Sequence, residues 1–243
     1  MHKSSAELKR LARGTLYGKF AVPMTAILAI LAVSFLGQLP FGSNMTTVAS
    51  WPSVLIHYCS LFLILILVSP MKIGAHKIHL RMGREQKVTY IEVFDCYRHH
   101  TDRYLIAGAL ILLIKAVGMI PMFLAFVLLL FYSSYTALFA ALLCILISIF
   151  LIFYLSITYS LFYFLLLDQD DWSVMKCLRQ SAIYMKGNRK RRLYLEFSFL
   201  GWGFMYLFTI GIGILWIQPY YLQTQAAFYQ DILLRTSTDL FQE

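Results

Sequence analysis

Charge is what this sequence lacks most: of 243 residues only 14% are Asp, Glu, Lys or Arg, against about 25% in a soluble domain. That shortfall, with 60% apolar residues and a mean hydropathy of +0.69, excludes an ordinary soluble globule. Acidic residues are the scarcer sign, 12 against 21 Lys and Arg. The apolar runs carry no Asp, and Glu196 at the edge of one is their only Glu, so paired carboxylates for acid–base chemistry are missing. Four cysteines, Cys59, Cys96, Cys144 and Cys177, show no CxxC spacing. They read as reduced thiols in a packed interior, neither a disulfide framework nor a metal site. Only six prolines and 13 glycines interrupt the chain.

What is present is a series of long apolar runs separated by basic segments, the pattern of an all-α, polytopic transmembrane helix bundle forming one integral membrane domain over residues 1–243. Five spans are expected, at about residues 20–36, 54–71, 104–132, 137–167 and 194–217, with polar segments at 1–19, 72–103 and 168–193 on the inner side. The basic residues fix this orientation: 5, 7 and 7 of the 21 fall in those three segments, which places the N-terminus in the cytoplasm and, with five spans, the C-terminus outside. An alternative makes Gly211 to Leu234 a sixth, re-entrant or interfacial element that returns the tail to the inside.

Met1 to Lys19 sets Leu8, Leu11, Ala12 and Leu16 at helical spacing among five basic residues, an expected amphipathic helix on the inner membrane surface. Gln38 to Ser53, uncharged and holding Pro40, Gly42 and Pro52, reads as an outer loop. Pro70 is expected to kink or end the second span, Gly118 and Pro121 to break the third, and Pro219 to end the fifth. Ser133 to Thr136 is the turn of a helical hairpin. Asp168, Asp170 and Asp171 are candidate caps for an inner-surface helix carrying Val174, Leu178, Ala182 and Met185 on one face, which Gly187 and Asn188 would end. Gly201, Gly203, Gly211 and Gly213 suggest close helix packing, and Tyr220, Tyr221, Phe228 and Tyr229 an interfacial aromatic belt.

Two features carry functional candidates. Lys186, Arg189, Lys190, Arg191 and Arg192 form a juxtamembrane basic patch suited to anionic lipid or a partner surface, or simply a topology anchor. Lys115 is the one basic residue well inside a span, where a charge costs at least about 2.5 kcal/mol. It faces either a polar cavity or anionic ligand, or it snorkels to an interface. Glu196 lies within reach of the arginines before it. His76, His79, His99 and His100 lack metal-ligand spacing and read as solvated or headgroup-facing, while His57 and Cys59, close together on one helix, point in different directions and make no dyad.

The segments Ser181-Ala182-Ile183-Tyr184-Met185-Lys186-Gly187, Phe197-Ser198-Phe199-Leu200-Gly201-Trp202, Thr209-Ile210-Gly211-Ile212-Gly213 and Pro219-Tyr220 with Phe228-Tyr229 resemble successive signatures of a family of bacterial integral membrane proteins of unknown function, mostly Gram-positive. Ser69-Pro70 with Gly74, and Gly83-Arg84 with Val93-Phe94, match more loosely. One departure stands out: family members carry an Ile-Pro-Gly-Ile-like break in the span leading to the acidic knot, whereas Ile145 to Leu167 has neither proline nor glycine.

The expected function is that of a non-enzymatic, multi-pass protein of a bacterial plasma membrane, acting through anionic lipids, a membrane-protein partner or its own oligomer at the cytoplasmic face. The alternative is a transporter or channel, or a subunit of one, with Lys115 in the path. No cofactor and no nucleic-acid partner is expected.

Overall fold

The computed structural model describes residues 3–42, 51–132 and 134–240. Within them all regular structure is helical: α1 (Ser5–Leu16), α2 (Ala21–Gly42), α3 (Trp51–Gly83), α4 (Glu92–Asp95), α5 (Thr101–Phe131), α6 (Tyr135–Thr158), α7 (Phe162–Asp168), α8 (Val174–Tyr184), α9 (Arg189–Phe197), α10 (Leu200–Phe208) and α11 (Ile214–Leu240). Four stretches are long and apolar enough to cross a membrane, at Ala21–Leu39, Val54–Gly83, Thr101–Phe131 and Tyr135–Asp168.

The 33 residues of α3 and 31 of α5 exceed hydrocarbon thickness, since about 20 residues at about 1.5 Å each already span about 30 Å. Burial shows which part stands outside. In α3, Leu55, Ile56, Leu63 and Leu67 are exposed, whereas Val68, Met71, Ile73 and Ile78 are buried. In α5 the switch runs from buried Ala107 and Ile111 to exposed Leu113, Val117 and Phe123, and from α6 to α7 it runs from exposed Phe139, Leu146 and Phe150 to buried Ile157, Phe162 and Phe164. The molecule therefore has an apolar-surfaced layer suited to lipid, joined to a body with a protein core built from α1, α4, α7, α8, α9 and the ends of α3, α5 and α11. Lys72, Lys115, Tyr154 and Arg189 mark the boundary.

Helices meet closely where glycine permits. A Cβ on Gly74 would strike the Val93 backbone of α4, and one on Gly108 would strike the Ser69 side chain. The Ser69 hydroxyl donates to Ile66 O at 2.7 Å, so the polar atom inside this contact is satisfied.

Several expectations are corrected. Pro70, Pro121 and Pro219 all lie inside continuous helices. Instead the fourth apolar run breaks at Tyr159–Leu161, with the Ser181 hydroxyl donating to the Thr158 carbonyl at 3.3 Å to satisfy the open helix end. Of the expected outer loop over Gln38 to Ser53, residues 43–50 lie outside the described residues and both flanks are helical. Ser133 and residues 241–243 also lie outside them; Ser134 caps α6 by accepting from Ala137 N at 3.2 Å.

The expected fifth span over 194–217 is not one helix. It divides into α9, α10 and the start of α11, with Ile210 (φ 51°) and Gly211 (φ 86°) turning the chain back. Leu215 packs on the cluster of Ile27, Ala75 and Leu222, as does Ile30 of α2, and α11 then runs back into the body. There Tyr220, Phe228 and Tyr229 are buried core residues and Tyr221 packs against them. They form no interfacial belt. Gly201 and Gly203 have open space around them and make no tight helix contact. α11 packs on α1, the course that the re-entrant alternative gives the tail.

Candidate functional site: a cationic cavity beneath the basic cluster

The body is tied together by charges the sequence distributes widely. Asp168 pairs with Arg84 at 2.7 Å and accepts from the Tyr229 hydroxyl at 3.0 Å. Arg103 donates to the carbonyls of Gln169 and Asp170, each at 2.7 Å. The acidic knot is thus a clasp for two arginines, and Ser173 caps α8 by accepting from Lys176 N at 3.3 Å. Gly187, with φ at 83°, takes the left-handed conformation beyond the end of α8.

α1 buries Leu8, Ala12 and Leu16, but against the body: Lys9 donates to Ser198 O at 2.6 Å and lies over the Phe199 ring. Its apolar stripe meets protein in place of lipid. His79 shares a 2.9 Å hydrogen bond with Gln223 and is buried, and the His76 ring packs on Tyr163 and Phe164. Neither is solvated, because α3 continues past Pro70 and carries both into the core. His99 and His100 are exposed.

The five residues of the basic cluster separate by role. Arg191 pairs with Asp231 at 2.6 Å and donates to Lys3 O at 3.0 Å. Arg192, only 2% exposed, pairs with Glu196 at 2.7 Å. Arg189 donates to the Tyr154 hydroxyl at 2.8 Å and stacks on its ring. Lys186 and Lys190 are exposed and carry no hydrogen bond or ion pair among the described residues. The patch is therefore chiefly internal, and two lysines remain at its surface.

Below the cluster α3, α5, α6, α7, α9 and α11 enclose a cavity of about 310 Å³. His76, Lys115, Arg192, Glu196, Gln218 and Tyr221 contribute its polar wall. The Tyr221 hydroxyl reaches both Glu196 oxygens, at 2.8 and 2.9 Å, which fixes the carboxylate on Arg192. Arg192 Nε is buried without a partner. Lys115 has neither hydrogen bond nor ion pair among the described residues, and Lys72 lies close enough for the two ammonium groups to repel. Lys115 and Arg192 thus face a single carboxylate, with Lys72 as a third cation nearby. A surplus of positive charge in a partly enclosed cavity favours an anion there.

A larger hollow of about 700 Å³ lies between α1, α11 and the end of α3. Of its three cations Lys3 is half-buried and Arg10 and Lys19 are exposed, with Glu85 in the same wall, so water screens two of them and their pull on an anion is weaker. Away from the spans, burial pushes the Cys96 thiol up to about 12 and raises Cys177 as well, which leaves both thiols protonated and unreactive.

Sequence reading found Lys115, Arg192 and Glu196 one at a time. It missed His76, Gln218 and Tyr221 as their companions, because helix breaks and the return of α11 bring them together. No curated protein and no solved structure matches this chain. A family model described as protein of unknown function (DUF975) matches residues 1–236, the whole of the body and the cavity, so the chain belongs to the DUF975 family of proteins of unknown function.

Proposed function

We propose that this chain is a non-enzymatic membrane protein that binds an anionic group in the Lys115–Arg192 cavity, with its basic side in the cytoplasm of a bacterial plasma membrane. The observation that carries the reading is the imbalance of charge: Lys115 and Arg192 line the cavity with only Glu196 opposite them, and Arg192 Nε has no partner. Glu196 neutralises Arg192, which leaves Lys115 without a counter-charge among the described residues inside an apolar span, where a charge costs at least about 2.5 kcal/mol, and a bound anion relieves that cost. The orientation is supported by the gathering of the basic segments at one end. A role for Lys186 and Lys190 toward anionic lipids or a partner is secondary, since three of the five cluster residues are held within the fold.

The test is thermal unfolding of the purified chain in neutral micelles, with inorganic phosphate and an anionic phospholipid added separately. A ligand at about 100 times its Kd stabilises the native state by about 2.7 kcal/mol. At least one of the two raises the wild-type midpoint by several degrees, and Lys115→Met removes most of the rise. If neither stabilises the wild type more than the variant, the proposal fails.

A further inference from the structure

Resting on the anion-binding reading, we infer that the occupant is a lipid of the bilayer: an anionic glycerophospholipid whose headgroup sits between Lys115 and Arg192 and whose acyl chain lies along the seam of α6 and α9. Its first support is the direction in which the cavity opens. Lys115, Phe153 and Ser156 are the exposed members of the wall, and Met119, one turn from Lys115 on the same face of α5, is 47% exposed in the apolar layer. The mouth therefore faces hydrocarbon near its boundary, where a free anion would have to leave water to reach it. A lipid already resides there.

The second support is a groove continuous with the cavity. Phe150, Phe153, Tyr154, Ile157 and Leu193 line an apolar groove of about 180 Å³ at whose wall Arg189 and Lys190 also lie, and Phe153 and Ile157 line both spaces. An apolar groove that joins a cationic cavity matches an acyl chain joined to an anionic headgroup held in that cavity, and each basic residue near an anionic lipid surface contributes about 1 kcal/mol. Lys190, with no internal partner, remains free to face the headgroup layer. Arg192, a buried residue with Nε unpartnered, presents a donor from within.

The deciding experiment uses the full chain in neutral micelles titrated with dioleoyl phosphatidylglycerol, dioleoyl phosphatidylcholine or inorganic phosphate. Lipid retention is followed by intact-protein mass spectrometry and stability by thermal unfolding. The phosphatidylglycerol is retained at one copy in preference to phosphatidylcholine. Lys115→Met weakens retention about five-fold, the loss of one such charge, while Lys186→Met does not. Circular dichroism establishes that each variant keeps its helices. Stabilisation by phosphate that depends on Lys115, without selective phosphatidylglycerol retention, overturns the lipid inference and leaves the anion cavity standing. Failure of both ligands overturns both. Retention weakened by Lys186→Met but not by Lys115→Met assigns the lipid to the basic surface and overturns the inference.

Discussion

Tyr229 donates its hydroxyl to Asp168 at 3.0 Å across 61 residues of sequence. Arg84 holds the same carboxylate at 2.7 Å, so the C-terminal helix is pinned to the layer containing the end of α3 and the start of the α7–α8 connection. A helix anchored there runs back toward the side from which α1 enters.

Both termini are therefore expected on one side of a membrane that α2, α3, α5 and α6 cross. Reporter fusions active only in the cytoplasm, placed before Ser5 and after Leu240, are expected to give the same signal at either end. A cytoplasmic signal at the N-terminus with an external one at the C-terminus would restore the five-span arrangement.

The basic cluster divides by burial. Arg192→Ala leaves Glu196 without its partner and is expected to cost about 3–5 kcal/mol, the range for breaking a buried pair. Lys190→Ala, at an exposed position with no protein partner, leaves stability within measurement error. Chemical unfolding in neutral micelles distinguishes the two, and equal effects would contradict the assignment.

Gly74→Ala places a methyl group against the Val93 backbone, which cannot swing aside as a side chain would. Overpacking of this kind costs about 1–3 kcal/mol. A lowered unfolding midpoint is expected, with no loss for Gly201→Ala, where the added atom meets open space.

Much of the fold was legible and the site only in part. Runs such as Thr101–Phe131 announce themselves by length and apolarity, and Glu196 four residues after Arg192 announces its pairing. The proline positions misled because a helix packed on neighbours tolerates the missing donor when other groups satisfy the freed carbonyls. Tyr220, Phe228 and Tyr229 misled for a related reason: an aromatic residue after a glycine-rich stretch fits a membrane border as well as a core. Only the return of α11 into the body decides between them. Lys115 was identifiable as costly but not as a neighbour of Gln218, 103 positions later in the chain, because that contact depends on a turn at Ile210 and Gly211.

Acid should loosen the body at α4. The hydrogen bond from Lys77 holds the Asp95 carboxyl below its usual range, against the opposing effect of burial, with the positive charge of Lys77, His99 and Arg98 adding to it. A depressed folded value means that the stabilisation is complete above the unfolded value, near about 4, and is lost as pH falls through the folded one. Asp95→Asn is therefore expected to lower the unfolding midpoint at pH 7 and to make progressively less difference below about pH 4. A difference that stays constant with pH would contradict the pairing.

The charge inside the cavity can be read directly by thiol chemistry. With Cys59 and Cys144 replaced by alanine, and Cys96 and Cys177 buried, Gln218→Cys places one reactive thiol in the cavity wall while keeping Lys115, Arg192 and Glu196. Its rates with a negatively charged sulfonate methanethiosulfonate and a positively charged trimethylammonium one report the local potential. After correction for their intrinsic reactivities, the anionic reagent is expected to react about ten-fold faster or more, a ratio that falls when Lys115→Met is added. A ratio at or below one, unchanged by that substitution, would contradict a cationic site.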